Sequence, residues 1–190
     1  IEEPAYERIN MLGAFRLAWK DRNIRAALIA EFVVQCFYAV MIIYTPLYLG
    51  TIGIPLTVYM TFIMPLVLIP LVALPYELGF LADRKYGEKE LLIVGLLILA
   101  TTVFACVIID SPNVSLWTAV LLISRIGAAC VETMAFTYYF KKVGPEDASL
   151  TALFTNTLSV ATITVGAVGL LIGPFLVERP QLMFVLLGCG

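Results

Sequence analysis

Five long apolar runs restrict the folds open to this chain of 190 residues. They cover about residues 24–49, 55–78, 91–109, 116–140 and 148–177. A sixth run begins at Leu182, and the chain stops inside it at Gly190. A helix needs roughly 20 apolar residues to cross about 30 Å of hydrocarbon, and lipid leaves unpaired backbone groups unsatisfied. The runs therefore predict an all-α membrane protein, a polytopic bundle of five complete transmembrane helices and a truncated sixth.

Composition removes several classes of function. With 61% hydrophobic and 14% charged residues, the chain has too much apolar surface for one soluble core. It lacks a basic patch with interleaved aromatic residues, which argues against nucleic acid as a partner. Histidine is absent and the four cysteines lie far apart in apolar runs, so we expect no metal site and no cofactor. Without histidine or a catalytic motif, we do not expect an enzyme.

Lysine and arginine residues predict the orientation in the membrane. Ten of the 12 lie at or before the start of the first run, between the second and third runs, or just after the fourth. The loops at 50–54 and 110–115 carry none. Because positive residues collect on the cytoplasmic side, we expect the N-terminal segment and the 79–90 loop to be cytoplasmic, in a multi-pass protein of the cell membrane.

A polar segment, residues 1–23, precedes the membrane domain, which we predict at 24–190. The apolar residues of this segment fit one helical face only loosely. Two interpretations stay open, namely an amphipathic helix on the membrane surface, with Trp19 at headgroup depth, or a plain linker. Because the chain begins with Ile1 and ends inside an apolar run, we expect it to be a fragment of a longer protein.

The first and fourth apolar runs carry ionisable side chains away from their ends. Glu31 and Gln35 share a face of the first run at spacing i, i+4, and Arg125 and Glu132 share a face of the fourth at i, i+7. Charged groups at depth cost at least about 2.5–3.5 kcal/mol each, so they face a bundle interior or a wet cavity. These residues predict either a central path, with a carboxylate that takes up a proton, or a polar network that holds two helices in register.

Two other runs have both a functional and a structural interpretation. The second run contains Pro65, Pro70 and Pro75, and proline kinks occur in rocking transporters as well as in inert bundles. The fifth run has a polar stripe that includes Asn156, which suits either a hydroxylated solute or hydrogen bonds between helices. The third run has no charged residue and predicts a helix that faces lipid.

The polar stretch 79–89 between the second and third runs reads GFLADRKYGEK. It resembles the signature loop Gly-x-Leu-Ala-Asp-Arg-x-Gly-Arg-Lys of the major facilitator superfamily. The matching residues are Gly79, Leu81, Ala82, Asp83, Arg84, Gly87 and Lys89. Two departures are an extra residue between Arg84 and Gly87, and Glu88 where a basic residue is usual. In the fourth run, the sequence Arg-Ile-Gly from Arg125 resembles the family's Arg-x-Gly element.

The resemblance implies half of a major facilitator fold over about residues 24–190. The charged segment 1–23 then resembles the central cytoplasmic loop of the family, which implies the C-terminal half and a missing other half of the same chain. In that family the first and fourth helices of each half line the cavity, which implies a place on the transport path for the polar residues of those runs. The Asp of the signature loop contacts a nearby helix end and supports the outward-open state, a role that the resemblance implies for Asp83.

The function implied is secondary active transport of a small solute by alternating access, with proton coupling as an option. The lipid bilayer, the solute, protons and the missing half are the expected partners. The alternative is a membrane scaffold, or a degenerate transporter half, that moves nothing. The solute is not indicated, because this fold carries many unrelated substrates.

Overall fold

The computed structural model describes residues 11–143 and 147–178, apart from the side chains of Lys85 and residues 172–178. The described part is helical nearly throughout and contains no strand. Its helices are α1 (Met11–Lys20), α2 (Arg22–Thr51), α3 (Leu56–Val58), α4 (Met64–Leu81), α5 (Glu88–Ile108), α6 (Val114–Phe140), α7 (Ala148–Thr155) and α8 (Thr157–Glu178). The predicted sixth helix lies outside the described residues.

Five stretches of this helical chain are long and apolar enough to cross a membrane, which confirms the five predicted complete spans. Helices α2, α5 and α6 form one span each, α3 and α4 together form the second span, and α7 and α8 form the fifth. A π-helical turn at Tyr59–Ile63 joins α3 to α4, just before Pro65. Because proline has no backbone N–H to give, a local change in hydrogen-bond pattern keeps the span continuous there.

Helix α6 is the centre of the bundle. It packs against α2, α4 and α5, and α8 packs on the other side of α2. Small and branched side chains on α6 make these contacts, including Ala128, Val131 and Ala135, which are fully buried among residues of α2 and α5. A helix with neighbours on three sides has little surface left for lipid. Its polar residues are therefore held inside the protein.

The C-terminal ends of α2 and α5 and the N-terminal end of α6 are joined by polar contacts of aromatic side chains. The Tyr48 hydroxyl donates to the carbonyl of Ile109, at 3.1 Å, and to Oδ1 of Asp110, at 2.9 Å. The Trp117 indole donates to the carbonyl of Ser111 at 2.9 Å, and its ring meets that of Tyr48 edge-on. These contacts fix the short connection between α5 and α6 against the end of α2.

The predicted polar N-terminal segment contains one described helix, α1, which packs against α7 and α2. Ala14 and Ala18 are buried there, whereas Phe15 and Trp19 stack on each other and stay half-exposed. Asp21 then caps α2, because its carboxylate accepts hydrogen bonds from the backbone N–H groups of Asn23 and Ile24. The segment thus contains a helix, and its position on the membrane surface stays a prediction.

Helices α5 and α6 approach each other most closely at two glycines. A Cβ atom on Gly95 would lie 2.8 Å from Cβ of Cys130 and 2.9 Å from the carbonyl oxygen of Gly127. A Cβ on Gly127 would in turn lie 2.8 Å from Cγ2 of Ile98. Neither position leaves room for a methyl group. Packing therefore requires Gly127, the glycine of the Arg-x-Gly element.

We therefore predict that Gly95→Ala lowers the free energy of unfolding by about 1–3 kcal/mol, the usual cost of overpacking a tight contact. The measurement is thermal or denaturant unfolding of the purified protein in detergent. Gly166→Ala is the matched control, because nothing lies within 4 Å of a Cβ placed there. Equal stability of the two variants would contradict the close approach of α5 and α6.

Candidate functional site

An open cleft of about 580 Å³ lies between α2, α4 and α6, with one residue of α8 at its edge. Its volume is within the range of about 300–1,000 Å³ that is usual for small-molecule sites. Most of its walls are apolar. The polar side chains that line it are Gln35, Tyr38, Arg125, Glu132 and Thr133. Few polar groups on an apolar wall are typical of a site that orients a small solute.

A hydrogen bond crosses the cleft wall from α2 to α6. The Tyr38 hydroxyl donates to Oε2 of Glu132 at 2.7 Å. Tyr38 was not among the site residues predicted from the sequence. It lies seven positions after Glu31 and three after Gln35, and therefore on the same helical face. Counting tyrosine as a polar residue would have added it to the predicted set.

Arg125 is held by aromatic rings. Its side chain is only 3% exposed, and its guanidinium carbon lies 4.9 Å from the ring centre of Tyr38 and 5.6 Å from that of Phe37. Within the described part of the chain no carboxylate lies within ion-pair distance of Arg125. Cation–π contacts of a desolvated guanidinium are worth about 2 kcal/mol. The two rings thus stabilise a charge that lipid would expel.

Glu31 lies behind the cleft wall. Its side chain is 5% exposed, and its Oε1 accepts a hydrogen bond of 2.6 Å from Nε2 of Gln35. Its other oxygen, Oε2, is buried and has no hydrogen-bond partner among the described residues. Gln35 lines the cleft and Glu31 does not, so the glutamine amide stands between the carboxylate and the open space.

The structure brings together three of the predicted site residues at the cleft, namely Gln35, Arg125 and Glu132, with Glu31 one turn away. Asn156 is not among the lining residues. Its side-chain amide donates to the carbonyl of Ala152, one turn back in its own helix, at 2.8 Å. The hydroxyls of the polar stripe bond in the same way, for instance Thr162 to the carbonyl of Leu158 at 2.9 Å. A role for Asn156 in transport stays a prediction that this geometry does not favour.

The stretch predicted as a polar loop is largely helical. A π turn, Ala82–Tyr86, extends α4 up to Gly87, whose φ of 80° lies in the region that suits glycine, and α5 begins at the next residue. The prediction from the sequence ended the second span too early, at residue 78, because charged side chains were taken as a sign of irregular backbone. A π turn holds an extra residue, which accommodates the one inserted between Arg84 and Gly87.

The signature residues are tied to the end of α6 by charge. The Lys141 ammonium group, which follows α6, lies 3.4 Å from Oδ1 of Asp83 and also bonds to the carboxylate of Glu88. Glu88, and then Asp83, raise the pKa of Lys141 above its ordinary value. Lys141 is charged at neutral pH, and on the alkaline side the contact is lost as the pH rises through that raised pKa. Glu88, the residue that departs from the usual motif, thus has a partner.

Two other signature residues contact aromatic rings. The guanidinium carbon of Arg84 lies 4.2 Å from the ring centre of Phe80, and Nζ of Lys89 lies 5.6 Å from that of Tyr138. The first contact is within one helix, and the second joins α5 to α6. Gly79 has open space where a Cβ would stand, so packing does not require glycine there.

Comparison with protein families gives a match to a family model described as Major Facilitator Superfamily, over residues 2–174. Comparison with curated proteins and with solved structures gives no match. The matched region includes both the cleft and the charged turn at Gly87.

We predict that Tyr38→Phe lowers the free energy of unfolding by about 0.6 kcal/mol and by no more than about 1.7 kcal/mol, the average and the maximum measured for hydrogen bonds between membrane helices. The substitution removes the bond to Glu132 and keeps the ring beside Arg125. A double-mutant cycle with Glu132→Leu, which removes both acceptor oxygens, followed by unfolding in detergent, isolates the pair. A coupling energy of zero would mean that the two side chains do not bond in the folded protein.

Proposed function

The chain belongs to the major facilitator superfamily, a family of membrane transporters, and we propose that it forms part of a secondary transporter that moves a small solute by alternating access. The observation that carries the proposal is the cleft between α2, α4 and α6, with its polar groups on an apolar wall. Membrane transport is the general activity of the family. The cleft supports a solute site within this chain.

The polar residues of the cleft converge from the first and fourth spans. Gln35 and Tyr38 come from α2, and Arg125 and Glu132 come from α6. Polar groups at membrane depth raise the free energy of the folded protein, so they are usually retained for a function or bonded to each other. We propose that they contact the solute, and that one of the two carboxylates near the cleft, Glu31 or Glu132, takes up a proton during the transport cycle.

The rim of the cleft carries exposed apolar side chains. Ile42, Leu68, Phe136 and Leu158 are each about half-exposed. Alternating access in such folds is the rocking of two bundles around a midplane site. We propose that this chain is the C-terminal half, with its N-terminal segment and the turn at Gly87 in the cytoplasm of a cell membrane, and that the other half packs on this rim and closes the path.

A membrane scaffold that moves nothing is the second candidate. The observation that favours it is that several polar groups bond to each other, as in the pairs Tyr38–Glu132 and Gln35–Glu31. A polar network that only fixes the register of two helices would have the same bonds. Accessibility of the cleft from both sides of the membrane separates the two functions.

We predict that a cysteine at position 133 is labelled by a membrane-impermeant maleimide from either side of the membrane. Thr133 lines the cleft, and alternating access exposes the cleft to each side in turn. The measurement uses Thr133→Cys in the full-length protein, with its native cysteines replaced by alanine, in vesicles labelled from one side at a time.

Val94→Cys is the control, since Val94 is half-exposed on α5 and the apolar α5 surface faces lipid in this proposal. It should stay unlabelled from both sides. Labelling of position 133 from one side only, in every condition tried, would favour the scaffold.

We also predict that Asp83→Asn changes the balance of these two labelling rates. The family role implied for Asp83 is support of the outward-open state, and its contact with Lys141 joins the turn after α4 to the end of α6. Loss of that contact should raise cytoplasmic labelling of position 133 by a few-fold relative to labelling from outside. Glu90→Gln is the control, because Glu90 forms no ion pair among the described residues. An unchanged ratio would remove Asp83 from the conformational switch.

A further inference from the structure

The two carboxylates near the cleft differ in how well their charges are compensated. Glu132 accepts a hydrogen bond from the Tyr38 hydroxyl, and the Arg125 guanidinium carbon lies 4.9 Å from the centre of the same ring. One positive and one negative side chain therefore contact the same tyrosine. Glu132 thus has both a hydrogen-bond donor and this shared contact with a cation.

Glu31 is supplied with one hydrogen bond for two oxygens. Gln35 donates to Oε1, whereas Oε2 is buried without a partner among the described residues. A carboxylate buried to 95% with a bare oxygen is expensive as an anion, because no donor replaces the water that the oxygen has lost. A single proton on that oxygen would remove the charge, which is the larger part of the cost of burial.

The neighbouring elements offer Glu31 no nearby cation other than Arg125. Helices α1, α3, α6 and α8 pack against α2. Helix α5 also borders α2, and its charged groups, Glu88, Lys89 and Glu90, lie in its first turn beside the start of α2. Of the charged groups on α6, Glu132 is a like charge, and Arg125 is held by the rings of Phe37 and Tyr38. Helix α3 and the described side chains of α8 contain no titratable group, and the cations of α1, Arg16 and Lys20, are exposed at the cytoplasmic end.

We propose that Oε2 of Glu31, rather than the carboxylate of Glu132, binds the coupling proton, and that Gln35 transmits its state to the solute site. The proposal rests on the proposed function, within which it selects one of two carboxylates. Protonation forms one O–H bond at Oε2 and neutralises the side chain. The Gln35 amide then faces a neutral acid instead of an anion, which weakens its bond to Oε1 and releases its N–H toward the cleft. Release of the proton reverses each change.

The ligand is a proton rather than a metal ion because of the number of ligands at hand. A metal cation such as Ca²⁺ takes six to eight oxygen ligands. Glu31 offers one free oxygen, and the described residues contain no group of three or more acidic, histidine or cysteine side chains that could hold a metal. One lone pair is sufficient for a proton.

The test is infrared spectroscopy of the full-length protein in lipid vesicles, with the pH changed stepwise and no solute present. A protonated buried carboxyl gives a C=O absorption that ionised carboxylates lack. We expect this band to appear and disappear with pH in the unaltered protein and in Glu132→Gln, and to be lost in Glu31→Gln. Because the probe is the proton alone, the result does not depend on finding the solute.

A second variant keeps the test decisive if Glu31→Gln does not fold, as judged by circular dichroism. Gln35→Leu retains Glu31 and removes the donor to Oε1, so the band should remain and move in frequency. The proposal is overturned if the band persists in Glu31→Gln, or if it is lost in Glu132→Gln instead. It is also overturned if Gln35→Leu leaves the frequency of the band unchanged. A last contrary result would be loss of the band when the potassium salt of the buffer is replaced by the sodium salt. Two-sided labelling of position 133 tests transport separately, so failure of either experiment leaves the other standing.

Discussion

The structure depends on one constraint, that a polar group placed in hydrocarbon must find its partner within the protein. Water cannot replace a missing partner at that depth, and the buried ionisable residues of α2 and α6 each have a specific neighbour. Tyr38 donates a hydrogen bond to Glu132, and two aromatic rings contact the guanidinium group of Arg125. Gln35 donates a hydrogen bond to one of the two carboxylate oxygens of Glu31. The central position of α6 follows, because a helix that carries both a cation and an anion has to be enclosed by others. The remaining bare oxygen of Glu31 is informative for the same reason.

Much of the architecture could be predicted from the sequence, because a transmembrane helix can be recognised from its length and apolar composition alone. Five spans and the family resemblance needed no knowledge of contacts, and both are confirmed. Spacing also placed Glu31 with Gln35 and Arg125 with Glu132 on common faces, since a helix fixes the geometry of its own residues. The pairing of Tyr38 with Glu132 could not be obtained in this way, because periodicity within one helix does not say which face of a neighbour it meets.

Other features were hidden for different physical reasons. The π turn at Ala82–Tyr86 was not predicted, because its charged side chains are compatible with either helix or loop. The backbone hydrogen-bond pattern decides between the two. The polar stripe of the fifth span looked like a solute contact, yet Asn156 bonds to its own backbone, which any helical amide of suitable length can do. Gly127 was noticed as part of a motif, but its reason, the contact with α5, is a property of two helices together.

The way Arg125 is held bears on how α2 and α6 can move past each other. A salt bridge across this interface would act as a latch, since separating its members in a low-dielectric medium leaves two stranded charges. The face of an aromatic ring attracts a cation over a broad area and loses little when the cation is displaced sideways. Phe37 and Tyr38 present two such faces in succession along α2. Arg125 can therefore keep a ring contact over a range of relative positions of α2 and α6, whereas the hydrogen bond from Tyr38 to Glu132 holds in only one of them.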